Sequence, residues 1–265
     1  MPAHHFKKFR FNYEMTGAGE TALILIHGLG GSNRQWRYQK EFFSPKCQVV
    51  TPDLFEHGAS EKGIDPVHVL RLDAGAIIEL IENVIKKPCF IVGHSLAGLI
   101  LGEILRTGSS LLRGAVFVDC AYQKFEDILA AREKFARSML ALDDNTLRIE
   151  AEKWYRGLIG PAPAVDEELI LNDFLGYNLR QIFLPVLHCR EFNKYYPPEE
   201  IPISDSLPIL ILEADGGVGG DFRRSWVNHF KTADYYLFEH AKHFFFVTHQ
   251  NQFNAILARF LNSEK

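Results

Sequence analysis

The stretch Ile91-Val92-Gly93-His94-Ser95-Leu96-Ala97-Gly98 decides how this chain is read. A short apolar run with β-branched residues leads directly into a Gly-x-Ser-x-Ala-Gly turn, and residues 96–106 continue at helical spacing. A strand that turns this sharply into a helix holds the serine in a strained conformation, with its hydroxyl out above the sheet. Gly93 and Ala97 have to be small because strand and helix cross closely there. The amide of Leu96 lies at a helix N-terminus, where it can face a developing oxyanion. A bare Gly-x-Ser-x-Gly match is common by chance; the strand before it and the helix after it make this one specific.

On either side of this turn, short apolar runs recur at residues 22–26, 47–50, 89–92, 115–118, 209–212 and 235–238. Apolar runs without alternation suit strands covered on both faces, as in a parallel sheet. Helical spacing between them, at residues 65–87, 96–106 and 246–261, makes the chain α/β of the doubly wound kind. Residues 6–15 alternate and end at Gly17 and Gly19, which predicts an antiparallel edge strand and a turn. The strand–helix alternation stops between residues 122 and 206. Three helical patterns (125–142, 146–157 and 167–184) and many aromatic residues, Trp154, Tyr155, Phe174, Tyr177, Phe183, Phe192, Tyr195 and Tyr196 among them, fill that interval. The expectation is a core from residues 1–121 and 207–265 and a helical cap from 122–206, lying over the carboxyl ends of the strands, where open α/β sheets bind ligands. Most of the aromatics serve the cap's own packing, and some face the pocket, with Trp154 and Tyr155 the candidates for substrate contact.

Composition excludes several classes of function. The chain has 265 residues, 47% hydrophobic, and a formal net charge of −4, enough for a full core and without the basic block that nucleic acid or an anionic membrane would require. No apolar run reaches bilayer-spanning length, and the opening stretch has none of signal-peptide length, so the expected location is cytoplasmic. Cys47, Cys89, Cys120 and Cys189 are far apart and form no Cys-x-x-Cys pair, which reads as reduced, mostly buried thiols. No HExxH, P-loop or strand-plus-GxGxxG fingerprint occurs. The expectation is no metal, no organic cofactor and a small-molecule substrate; the chain is read as a monomer or homodimer.

The marks gathered so far, in this order, resemble the α/β-hydrolase superfamily, in its serine-nucleophile branch with a helical cap. The likeness covers nearly everything outside residues 122–206. Ile26-His27-Gly28-Leu29-Gly30-Gly31 resembles the turn that supplies the family's second oxyanion amide, here Leu29, with Gly28 beside the substrate. Trp36 falls where this branch often carries an aromatic, and Asp53 to Ser60 resembles its D-x-x-x-x-G-x-S turn, which is structural. By the same resemblance His27, His57 and His94 are scaffold residues. The resemblance implies a base between the last strand and last helix, where Ala241-Lys242-His243-Phe244 resembles the family's G-H-x-x-x-E/P segment. His243 is chosen over His240, at the strand end, and His249, already in the helix. An imidazole suits the task because its ordinary pKa near 6.5 lets it take and return a proton at neutral pH.

The acid departs from the family pattern. The resemblance implies an aspartate about nine residues beyond a proline such as Pro208, and that position is Gly217. Asp119, at the end of the sixth strand, is preferred; Asp215 is the alternative, and Asp221 reads as a helix cap. The implied activity is hydrolysis of a carboxylic ester or lactone of a small, mostly apolar substrate through Ser95, His243 and an aspartate. A carbon–carbon bond hydrolase of the same fold and a non-catalytic small-ligand receptor are the competing readings. A dehalogenase or epoxide hydrolase would need an aspartate where Ser95 stands.

Overall fold

A computed structural model describes residues 3–66, 68–120, 126–195, 207–218 and 233–263. Eight strands form one sheet in the order β1-β2-β4-β3-β5-β6-β7-β8. They are β1 Ala3–Phe6, β2 Phe9–Thr16, β3 Ala22–Ile26, β4 Gln48–Pro52, β5 Cys89–His94, β6 Leu112–Val118, β7 Ile209–Gly216 and β8 Asp234–Lys242. Pairing is antiparallel for β1/β2 and β2/β4, and parallel from β4 through β8. All residues of β3 and β5 are buried, as expected for central strands with helices on both faces. The six apolar runs are therefore the six parallel strands, each within a few residues of its expected position.

The N-terminal segment differs from expectation. It is a hairpin and not a single edge strand: Phe6 pairs with Phe9 across Lys7-Lys8, so β2 is internal and β1 takes the edge. Lys7 adopts φ 55°, a left-handed conformation usually given to Gly or Asn, so its side chain gave no sign of a turn. The helix expected over residues 65–87 comprises α2 (Val69–Glu79) and one π-type turn, Leu80–Ile85, ending at Lys86 with φ 51°. Pro88 lies just beyond, and a helical conformation is disfavoured for the residue before a proline. The last helix is interrupted at His249, between a one-turn segment, Phe245–Thr248, and α8, Gln250–Ser263.

Between β6 and β7 the chain runs through α4 (Glu126–Leu140), α5 (Asp144–Ile159), α6 (Ala164–Leu175) and α7 (Leu179–Tyr195). The pattern over 167–184 is thus two helices. The break is local chemistry: α6 stops at Gly176, and Asn178 starts α7 by accepting hydrogen bonds from the amides of Arg180 (3.1 Å) and Gln181 (3.4 Å), as an N-cap does. Asp143 caps α5 the same way through the amides of Asn145 and Thr146. Residues 121–125, between β6 and α4, and 196–206, between α7 and β7, lie outside the described residues, and so do both expected cap boundaries and the side chains of Phe192, Tyr195 and Tyr196.

The inserted helices are tied to the sheet side by polar contacts. Asp166 of α6 is buried and accepts hydrogen bonds from Arg37 and from Tyr38 (3.0 Å), both on α1 (Arg37–Phe43). Asp173 accepts from Ser32 (2.5 Å) and from Arg34 (3.1 Å). A buried carboxylate is costly unless paired, and these partners hold α6 in place. Trp36 is fully buried against Phe246, 4.4 Å between ring centres. No helix among the described residues is long and apolar enough to cross a membrane.

Candidate active site

Four strand ends meet at one edge of the sheet. Ser95 follows β5 and precedes α3 (Ala97–Thr107), with φ 56°. Its amide donates to the Val118 carbonyl (3.0 Å), and its carbonyl accepts from the Gly98 amide (3.0 Å). A residue with a side chain in this region of φ is strained and persists only where its surroundings hold it. The small neighbours allow it: a Cβ at Gly93 would overlap Leu101 and lie 3.1 Å from the Ala97 carbonyl oxygen. Gly28, expected beside the substrate, does not reach the cavity wall. It packs behind the serine, where a Cβ would lie 2.8 Å from Ser95 Cβ.

Asp119 directly follows β6, is fully buried and also has a positive φ, 43°. Its Oδ2 lies 2.6 Å from His243 Nδ1 and accepts the Val218 amide at 2.7 Å; Oδ1 accepts the Ala214 amide at 3.4 Å. A carboxylate only accepts, so Nδ1 of His243 carries a proton, and in the neutral ring that leaves the lone pair on Nε2. Gly217 explains the displaced acid. A Cβ there would overlap the Asp119 carboxylate, so a side chain at 217 would push that carboxylate from its present place. Asp215 is elsewhere: its exposed carboxylate accepts the amides of His240 (2.7 Å) and Ala241 (3.1 Å), where β8 bulges and His240 has φ 56°. These bonds lower its pKa, the His240 amide most. Asp221 lies outside the described residues.

The other histidines form the scaffold. His94 donates from Nε2 to the carbonyl of His243 (3.0 Å), and the two rings pack at 4.3 Å. Burial, and then the neighbouring His243, push its pKa well below 6.5, so His94 is neutral. Its buried Nδ1 has no hydrogen-bond partner among the described residues. His27 donates from Nδ1 to the Gly28 carbonyl (2.8 Å) and accepts the Leu54 amide at Nε2 (3.1 Å). His57 donates to the Phe55 carbonyl (2.8 Å) and accepts the Gly30 amide (3.0 Å). Burial and the adjacent His27 lower the His57 pKa to about 3. Asp53 braces the same loop, accepting from the amides of Asn33 and Ala59 and from the Asn12 side chain. Together these bonds shape the turn that carries the Leu29 amide. Among the described residues, neither the Leu29 nor the Leu96 amide has an acceptor.

Above this edge lies a cavity of about 500 Å³, within the range of small-molecule sites. Leu29, Ser95, Leu96 and His243 form its floor, and Trp154, Tyr155, Phe135 and Leu158 belong to its wall. Tyr155 donates its hydroxyl to the Leu29 carbonyl (2.9 Å) and stacks on Phe174 at 3.9 Å. Tyr177 bridges two core turns, donating to the Gly31 carbonyl (3.0 Å) and accepting the Gly58 amide (2.9 Å). Sequence reasoning did not find this bridge, nor the face of α4 formed by Ile128, Ala131, Arg132 and Phe135, although that i, i+3, i+4, i+7 spacing is the pattern of one helix face. Cys189 also lines the cavity. Among the described residues, no group of three or more His, Cys, Asp or Glu is placed to hold a metal ion.

Comparison with known proteins identifies the family. The model of the alpha/beta hydrolase family matches residues 23–256, so the chain belongs to that family. The chain is 29% identical over 155 residues to the (E)-2-((N-methylformamido)methylene)succinate hydrolase of Acinetobacter baylyi, covering 58% of this chain and 54% of that protein. It spans about half or less of the length of the first curated relatives it matches. Among solved structures, a bromoperoxidase from Bacillus anthracis superposes with a TM-score of 0.79 at 20% identity, covering 96% of both chains. The enol-lactonase from Burkholderia xenovorans superposes with a TM-score of 0.78 at 16% identity, covering 98% of this chain and 100% of that one. At these identities the structural likeness concerns the fold.

Proposed function

We propose that this protein is a serine hydrolase that cleaves a carboxylic ester or lactone through Ser95, His243 and Asp119. The reading rests on one observation: Asp119 Oδ2 meets His243 Nδ1 at 2.6 Å, on the same cavity floor as a serine held at φ 56°. Ser95 Oγ attacks the carbonyl carbon while His243 Nε2 takes its proton. Asp119 keeps the imidazole in the required tautomer and stabilises the imidazolium. The amides of Leu29 and Leu96 receive the oxyanion, each donor being worth about 3–4 kcal/mol of the barrier. His243 returns the proton to the leaving oxygen, and water then cleaves the acyl-enzyme by the same steps. Helices α4–α7 act as the cap, with Trp154 and Tyr155 at the substrate's apolar body. A similar fold in an enol-lactonase supports the lactone reading, and similarity to a hydrolase of a succinate derivative supports hydrolysis more broadly.

The test is covalent labelling. A fluorophosphonate probe is expected to modify the wild-type protein at Ser95 and to leave Ser95→Ala unmodified. Equal labelling of the variant would remove Ser95 as the nucleophile.

A further inference from the structure

Among the described residues, the wall of the cavity is mostly apolar and carries one charged side chain. Helix α4 presents Ile128, Ala131, Arg132 and Phe135 to it, one helix face, and Arg132 is the single permanently charged side chain among the described residues that line the cavity. No carboxylate is among those lining residues. Arg132 is half-buried and stands within electrostatic reach of Cys189, another lining residue: burial pushes that thiol up to about 11, and the Arg132 charge opposes the rise. A guanidinium has five donors in a rigid fork, so it can satisfy a protein partner and still take a ligand carboxylate in a bidentate pair.

We infer that Arg132 selects substrates that carry a free carboxylate on an apolar body, the ester or lactone carbonyl lying over Ser95 and the carboxylate against the guanidinium. This inference rests on the reading of Ser95 as nucleophile and adds the substrate class. The physical reason is desolvation. An anion entering a cavity walled by Phe135, Trp154 and Leu158 loses its hydration, and that loss is offset only where a fixed opposite charge waits for it. A site built around a charge discriminates well against an analogue that lacks its partner, whereas an apolar wall alone discriminates by shape and discriminates weakly.

Two aryl esters of matched length separate charge from shape: the 4-nitrophenyl monoester of adipic acid and 4-nitrophenyl heptanoate. The expected result is that Arg132→Met lowers the ratio of kcat/KM, anionic over neutral, roughly 10- to 100-fold, chiefly through KM, and that Arg132→Lys lowers it less. A ratio unmoved by Arg132→Met overturns the inference. A second readout needs no turnover. The rate of fluorophosphonate labelling at Ser95 is measured with 4-phenylbutyrate or 4-phenylbutanamide present. The acid is expected to slow labelling of wild type more than the amide does, and the difference is expected to vanish in Arg132→Met. Equal protection by acid and amide in wild type overturns the role of Arg132 and leaves Ser95 as nucleophile. Failure of folded wild type to label at Ser95 overturns the nucleophile reading and takes this inference with it.

Discussion

The strand-end cluster and the inserted helices build the two halves of one cavity by different means. In the cluster, position comes from the backbone. Ser95 and Asp119 are both held at positive φ, Gly28 and Gly217 leave room for them, His27 and His57 bond backbone groups through both ring nitrogens, and His94 does so through Nε2. In the helices, position comes from side chains on one face, Ile128 to Phe135 on α4 with Trp154, Tyr155 and Leu158 on α5. Backbone turns confine a reacting atom to one place, while a helix face can change its lining without changing its path. On the proposed reading this is a division of labour, with chemistry in the turns and selection in the helices.

The largest test of that division is the buried carboxylate. Asp119→Asn keeps the shape and loses the charge that fixes the His243 tautomer, and kcat is expected to fall on the order of 10⁴-fold. Asp215→Asn, which touches only the amides of His240 and Ala241, is expected to cost far less. Steady-state kinetics on one activated ester compare the two, and the reverse ranking would break the assignment.

The scaffold histidines supply the next test. Folding lowers the His57 pKa from 6.5 to about 3. Between those values the unfolded chain binds a proton that the folded one does not, so the stability contributed by a neutral His57 is present above pH 6.5 and is lost as pH falls toward 3. With about 1.4 kcal/mol per pKa unit, the full loss is on the order of a few kcal/mol. Denaturant unfolding at pH 7, 5.5 and 4.5 is expected to show a steeper decline for wild type than for His57→Asn. Parallel declines would mean that the turn cluster does not depend on this ring.

A smaller effect joins the two regions. Tyr155→Phe removes the bond to the Leu29 carbonyl and leaves that acceptor buried, which costs about 1–3 kcal/mol. Thermal unfolding is expected to show a lowered Tm, with slower acylation because the turn bearing the Leu29 amide is less firmly held. An unchanged Tm would uncouple the helices from the turn.

Much of this site was legible because its chemistry depends on local patterns. The strand, the Gly-x-Ser-x-Ala-Gly turn and the following helix are contiguous, and the place of His243 after the last strand is what the family resemblance implies. The hairpin at Lys7-Lys8 escaped because a lysine was forced into a conformation that residue type does not announce. The break at Asn178 was written in the sequence as a cap but was hidden under continuous helical periodicity.

What the sequence determined by itself was the sheet's parallel core, the serine turn and the histidine that follows the last strand, because apolar period and turn chemistry act between near neighbours. The tertiary structure alone decided which carboxylate meets that histidine and which charge reaches the cavity. Asp119 and His243 are far apart in the chain, and they meet because β6 and β8 flank β7 while Gly217 leaves empty the space the Asp119 carboxylate fills. Arg132 faces the cavity only because of how α4 is rotated over the sheet edge, a matter of packing between distant segments that no local pattern encodes.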